Sequence, residues 1–222
     1  MSRARPVPSP SRLLPAAGAL AAALGLAACG DSSPPGETPT TTTTAGDCEA
    51  SDPTVAWKRT DAVLADLGRG LELTPEQVCL ELGTAPCSAV HRVALGQSDP
   101  FDRALYKPFA EPLGTTPIAA ERAVLHACVA RVTLDASAAD PVVFKQLDLT
   151  APSAGEDLGA QSAFGQDASE VGRRLLGRDL SDEEIGELAA LAVDEGGAKV
   201  PASEVAKLVC FTIGTSREFL FF

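Results

Sequence analysis

The chain has 222 residues carrying 18 basic and 30 acidic side chains, a formal net charge of −12, which disfavours nucleic acid and other polyanions as partners. No run reaches five like charges, so the acidity reads as solubility charge on helix surfaces. Aromatic residues make up only 5% of the chain, with Trp57 and Tyr106 the sole residues of their types; Ala, Leu and Val must fill the core, which suits close-packed helices.

In chain order, the first element is an export signal. Arg3, Arg5 and Arg12 precede an apolar stretch from Leu13 to Leu24, which is followed by Leu26-Ala27-Ala28-Cys29. A cationic start, a short apolar core and a small-residue cut site make a secretory signal. The apolar core is shorter than the roughly 20 residues a spanning helix needs, and Pro15 and Gly18 interrupt it. The cysteine at the cut site resembles the lipobox of bacterial lipoproteins. That resemblance implies cleavage after residue 28, a diacylglycerol thioether on Cys29 and a further acyl chain on its amine, with two or three chains holding firmly where one holds marginally. It implies a membrane-anchored lipoprotein of the bacterial cell envelope. Gly30 stands where the enterobacterial inner-membrane retention signal has Asp, and Asp31 comes one position late, which favours the outer membrane where the host has one. Removing residues 1–28 takes away three arginines and no acid, leaving a net charge of −15.

Residues 29–47 hold the lipidated cysteine and a Thr- and Pro-rich linker that cannot form a core. As a flexible coil it spans on the order of 25 Å. The remainder, 48–222, is long enough for one helical domain or two small subdomains. The expected fold is all-α, with five to seven short helices and a long proline-punctuated loop near 96–116.

Ser51 and Pro53 open a first helix carrying Ala56, Val63 and Leu67 at helical spacing and closed by Gly68 and Gly70. Thr74-Pro75-Glu76-Gln77 is a capping box leading through Val78 and Leu82 to Gly83. Thr84 and Pro86 start a short helix through Val90 and Ala94. Pro100, Pro108 and Pro112 then break the chain into an ordered loop. Thr116-Pro117 opens a longer helix whose predicted apolar stripe is Ile118, Leu125, Cys128, Val129 and Val132. Residues 136–165, rich in Ala, Ser and Gly, read as a subdomain boundary. Asp167 with Glu170, and Ser181 with Glu184, read as further capping boxes, the latter with Leu180 and Ile185 as a hydrophobic staple. A last helix starts near Pro201 and buries Val205, Leu208, Val209 and Thr212. The terminal Phe219-Leu220-Phe221-Phe222 is expected to dock into the helical core; the repeated alternating segments of a barrel are missing.

Arg173-Arg174-Leu175-Leu176-Gly177-Arg178-Asp179-Leu180-Ser181-Asp182-Glu183-Glu184 and Thr215-Ser216-Arg217-Glu218-Phe219-Leu220-Phe221 resemble a helical segment of uncharacterised planctomycete- and myxobacterial-type exported proteins, some fused to cytochrome c domains. The resemblance covers roughly residues 165–222 and implies an exported helical module. Relatives that carry haem use Cys-x-x-Cys-His, which this chain lacks, and no catalytic residue carries over.

Five cysteines follow Cys29. Beyond the inner membrane disulfides are the default, and an odd number leaves one over. Local reach favours Cys79 with Cys87. Cys128 and Cys210 lie in helical apolar segments where they can meet in the core or remain buried thiols; Cys48 is then the odd one. A zinc site from Cys87, His91, His126 and Cys128 is the sharper alternative. It fails on geometry, because positions 126 and 128 point about 200° apart around one helix, and no metal is assigned. Asp194 to Glu204 misses the acid spacing of a calcium loop and reads as a helix-to-helix turn. Asp182, Glu183, Glu184 and Glu187 read as ordinary acids of a first helical turn. No nucleophile elbow, phosphate loop or dinucleotide fingerprint appears.

These features lead to the expectation of a non-enzymatic, lipid-tethered structural or interaction module that binds another exported protein, with no cofactor. The alternative is an envelope enzyme or redox or metal accessory protein using Cys87 and His91. A third class is a small-ligand binder with a pocket lined by Trp57, Tyr106 or Phe109.

Overall fold

The computed structural model describes residues 56–222. The export signal, Cys29, the linker, Cys48 and the helix start expected at Ser51 and Pro53 lie outside the described residues. Within them the fold is dominated by helices, as the composition predicts, and no helix is long and apolar enough to cross a membrane.

Thr60–Gly70 forms α1, burying Val63 and Leu67 one turn apart, while the Thr60 hydroxyl and amide both donate to the Leu95 carbonyl. The capping box at Thr74 and Gln77 starts α2 (Pro75–Val78), in which the Gln77 side chain accepts from the Thr74 amide at 2.9 Å. Here the expected longer helix stops after one turn. Cys79 adopts an extended backbone, and Leu80–Glu81 (β1) pairs antiparallel with Ala85–Pro86 (β2). The hairpin tip is Leu82 and Gly83, both at positive φ (52° and 73°). A single turn, Cys87–Val90 (α3), follows directly. The segment from 91 to 115 is an ordered loop without helix, closed on itself by the Asp99–Leu105 bridge.

Thr116–Ser137 is α4, the longer helix expected to open at Thr116-Pro117; at 22 residues it exceeds the short helices expected elsewhere. Its apolar face also differs from the predicted stripe. Ile118, Leu125 and Val129 are exposed; the buried face is Ala119, Ala120, Ala123, Val124, Ala127, Cys128 and Val132, continued by Arg131 and Asp135. Small residues set this face because α7 (Ala202–Gly214) packs closely against it: a Cβ on Gly214 would stand 2.6 Å from Val124. The Cys128–Cys210 disulfide joins the same two helices with 5.7 Å between Cα atoms.

The Asp167–Glu170 capping box is not formed. Helix α5 (Ala163–Leu176) begins five residues earlier, capped by Ser162, whose hydroxyl accepts from the Gly165 amide. Asp167 is instead buried inside the helix. Ser181 and Glu184 do cap α6 (Asp182–Ala189), and a 3-10 turn continues it to Ala192. The turn to α7 is held by the Asp194 carboxylate, which accepts from the Gly196 and Ala198 amides, and by a bridge between Val193 and Lys199. A single turn, Arg217–Leu220 (α8), ends the chain. The described residues thus hold eight α-helices and one two-stranded hairpin, rather than five to seven helices alone.

The stretch 136–165 does not divide the domain. The described residues fall in one compact unit, and Val143, Phe144 and Leu149 of this stretch enter the same core as α4, α5 and α7. Its backbone is held by two buried carboxylates. Asp135 accepts from the amides of Val142, Val143 and Phe144 at 2.8–3.0 Å, and Asp167 from those of Lys145, Gln146 and Leu147 at 2.8–3.1 Å. Six successive N–H groups are satisfied without secondary structure, meeting the requirement that buried backbone donors be paired. Burial pushes the Asp167 carboxyl above its ordinary range, against the pull of its three amide donors.

At the chain end, Phe219 and Leu220 enter the core, and Phe221 meets the Trp57 ring edge-on at 5.0 Å. The Lys58 amide donates to the Leu220 carbonyl, and the Phe222 amide to that of Ala56, each at 2.9 Å.

Candidate functional site

The extended backbone at Cys79 decides the site. Two-residue periodicity along β1 places Cys79 and Glu81 on one side. The turn of α3 then places Cys87 and His91, four residues apart, on one face. The Cys79–Cys87 disulfide, with 5.4 Å between Cα atoms, and a bond from the Cys87 amide to the Cys79 carbonyl clamp the two pieces together.

Glu81 lies at the centre. Its Oε1 stands 2.6 Å from His91 Nε2 and accepts from Arg122 Nε at 2.7 Å, while a second Arg122 nitrogen donates to Oε2. Arg122 comes from α4, so the paired fork ties the disulfide hairpin to the longest helix. Glu81 is buried, His91 half-buried and Arg122 half-exposed. The Arg122 hydrogen bonds, followed by that of His91, bring the Glu81 carboxyl from 4.5 down to about 2.

A depressed folded-state value stabilises the folded chain above the unfolded value, and that contribution is lost as pH falls through the folded one. The expected result is that urea midpoints fall as pH drops from 4.5 towards 2, and that Glu81→Gln flattens this limb. Parallel acid profiles for the two proteins would show that Glu81 contributes nothing there.

Among the described residues, Glu81, Cys87 and His91 bring their donor atoms within 4.8 Å of one another, with the Cys87 sulfur held in the disulfide. His126 is half-buried on α4 and does not join them, and Cys128 is bonded to Cys210. The four-residue zinc set therefore does not assemble, while its Cys87–His91 half does, with a glutamate in place of the second half. Glu81 is the residue that sequence reasoning missed. Reading 78–82 as continuous helix concealed the two-residue spacing of Cys79 and Glu81, which was the available signal.

Two cavities are relevant, and the first borders the disulfide. One, of about 370 Å³, runs between α1 and the hairpin and is lined by Leu64, Leu73, Val78, Cys79 and Cys87, with Asp61 and Arg69 among its polar residues. The other, of about 320 Å³, is lined by Trp57, Phe109, Leu113 and Phe221. Tyr106, the third expected lining residue, is largely exposed and stands outside it.

Of the acids at the start of α6, Glu184 caps the helix as read from sequence: it accepts from the Ser181 amide and from Arg178, which also pairs with Glu218. Comparison of the chain with protein-family models, with characterised proteins and with solved structures finds no match.

Proposed function

We propose that the protein is a lipid-anchored module of the bacterial cell envelope that binds another exported protein and performs no catalysis itself. The anchor rests on the lipobox-like run ending at Cys29. Export to an oxidising compartment is supported by the two disulfides, since such bonds are rare where thiols are kept reduced.

The observation that carries the binding role is Leu82. It stands at the tip of the clamped hairpin, 94% exposed, at φ 52°. A left-handed backbone costs a branched residue roughly 1–2 kcal/mol, and full exposure returns nothing through burial. Gly83 beside it shows what the turn itself favours. A leucine held against both preferences fits a role outside the fold. The neighbouring surface is also apolar: Ile118, Leu125 and Val129 share the exposed face of α4 with Arg122, which holds Glu81 next to Leu82. Exposed apolar residues gathered in this way favour a protein partner.

Leu82→Gly separates binding from folding. Its unfolding free energy is expected to stay level or rise by up to about 1 kcal/mol, while recovery of the envelope partner, cross-linked through a photoreactive side chain at Leu125, falls about tenfold or more. Unchanged cross-linking in Leu82→Gly would remove the binding reading. In the same strain, Cys29→Ser is expected to move the protein out of the membrane fraction; continued sedimentation with membranes would remove the lipid anchor.

A further inference from the structure

The Glu81 cluster has a second chemical state that the interaction role does not require. We propose that reduction of the Cys79–Cys87 disulfide turns the cluster into a closed binding site for a zinc-class divalent cation, with both sulfurs, the His91 imidazole and the Glu81 carboxylate as its four ligands.

The donor set comes from one short stretch of chain. Cys87, His91 and Glu81 already bring their donor atoms within 4.8 Å of one another, and Cys79 is bonded to Cys87. Zinc takes four such ligands tetrahedrally, at about 2.0–2.3 Å. Once the sulfur–sulfur bond is broken, side-chain rotation is enough to open that space, because the cysteine Cα atoms are 5.4 Å apart and the hairpin fixes them.

Charge and outer contacts fit the same occupant. Two thiolates and a carboxylate bring three negative charges against the ion's two, and the Arg122 guanidinium supplies the remaining positive charge. Arg122 already holds both Glu81 oxygens, and a ligating carboxylate needs such a hydrogen-bonded support. Thiolate ligands favour zinc over magnesium or calcium.

The redox step balances with a dithiol reductant. One thiolate of the reductant attacks a sulfur of the Cys79–Cys87 bond and forms a mixed disulfide. Its second thiolate displaces the protein sulfur, so two electrons pass to the protein and the reductant leaves as a disulfide. The cation then replaces the protons of the two freed thiols. Access favours this bond over the other one. Both pairs are buried, but Cys79 and Cys87 border the 370 Å³ cavity beside α1, whereas Cys128 and Cys210 are closed in between α4 and α7.

The test uses the full chain carrying Cys29→Ser and Cys48→Ser, which leaves the four bonded cysteines, with cobalt(II) as the probe. After mild dithiol treatment and removal of the reductant without air, alkylation and mass mapping identify the freed thiols. The expected result is alkylation at Cys79 and Cys87 only, a thiolate-to-cobalt charge-transfer band with tetrahedral d–d bands at one cobalt per chain, and loss of both on adding zinc. The oxidised protein gives no band. His91→Ala and Glu81→Gln weaken cobalt affinity by tenfold or more, and Arg122→Met by roughly 10- to 100-fold.

Three results overturn the proposal. The first is no charge-transfer band although both thiols are free and helical circular dichroism is intact. The second is a band of equal strength in His91→Ala and Glu81→Gln, which makes the thiols the whole site. The third is loss of helical dichroism on reduction, which means that the frame does not survive the step.

Discussion

Replacing Cys128 and Cys210 together by alanine is expected to lower the unfolding free energy by about 4–5 kcal/mol. The bond closes a loop of 82 residues, and the chain-entropy relation gives roughly 4.5 kcal/mol for that length at 25 °C. Natural domains hold about 5–15 kcal/mol in total, so the variant sits at or near the edge of folding. The bond joins two helices that also pack tightly at Gly214 and Val124. Cys79 and Cys87 are only eight residues apart, for which the same relation gives roughly 2.5 kcal/mol. Denaturant midpoints of the two double variants therefore separate, with the Cys128/Cys210 pair the lower. Equal midpoints, or a loss under about 1 kcal/mol at Cys128 and Cys210, would show that loop closure is not what this bond contributes.

The second large effect belongs to Asp135. Its carboxylate is fully buried, stands 2.7 Å from an Arg131 guanidinium nitrogen and accepts three amides of the following segment. Asp135→Ala leaves a buried guanidinium without its counter-ion, and breaking a buried pair from one side costs about 3–5 kcal/mol. It also strands the amides of Val142, Val143 and Phe144. The double replacement Arg131→Met with Asp135→Leu separates the two costs. Substituting a buried ion pair with apolar residues is often neutral or stabilising, but here no apolar side chain can receive the three amides. The double variant is expected to recover part of the loss and to remain at least about 1–3 kcal/mol below the parent, the cost of stranded buried donors. Calorimetric melting of both variants checks this. A double variant as stable as the parent would show that the amides find other partners.

These two sites also mark where the sequence was legible and where it was not. Local signals read through: the Thr74–Gln77 and Ser181–Glu184 boxes form because each needs only three residues of context. The reach between Cys79 and Cys87 is likewise local. The α4 face was misread because hydropathy gives weight to Ile118 and Leu125, whereas the fold buries alanines and a charged pair there. An arginine and an aspartate four residues apart look like a solvated pair until a neighbouring segment supplies amides to the aspartate. The same blindness hid Asp167, taken for a helix cap when it receives amides from residues 20 to 22 positions earlier. The Ala-, Ser- and Gly-rich stretch looked like a boundary because composition records apolar area and not hydrogen bonds. Glu81 was hidden by a wrong period: one turn of helix gives way to two residues of strand at Cys79, and the partners that pull its carboxyl down arrive from positions 91 and 122.

The pairing of residues 56–58 with 220–222 has a topological consequence. The described chain enters and leaves its domain at one pole, nearly a closed ring. A reporter fused after Phe222 therefore emerges beside Ala56, while the opposite pole stays unobstructed.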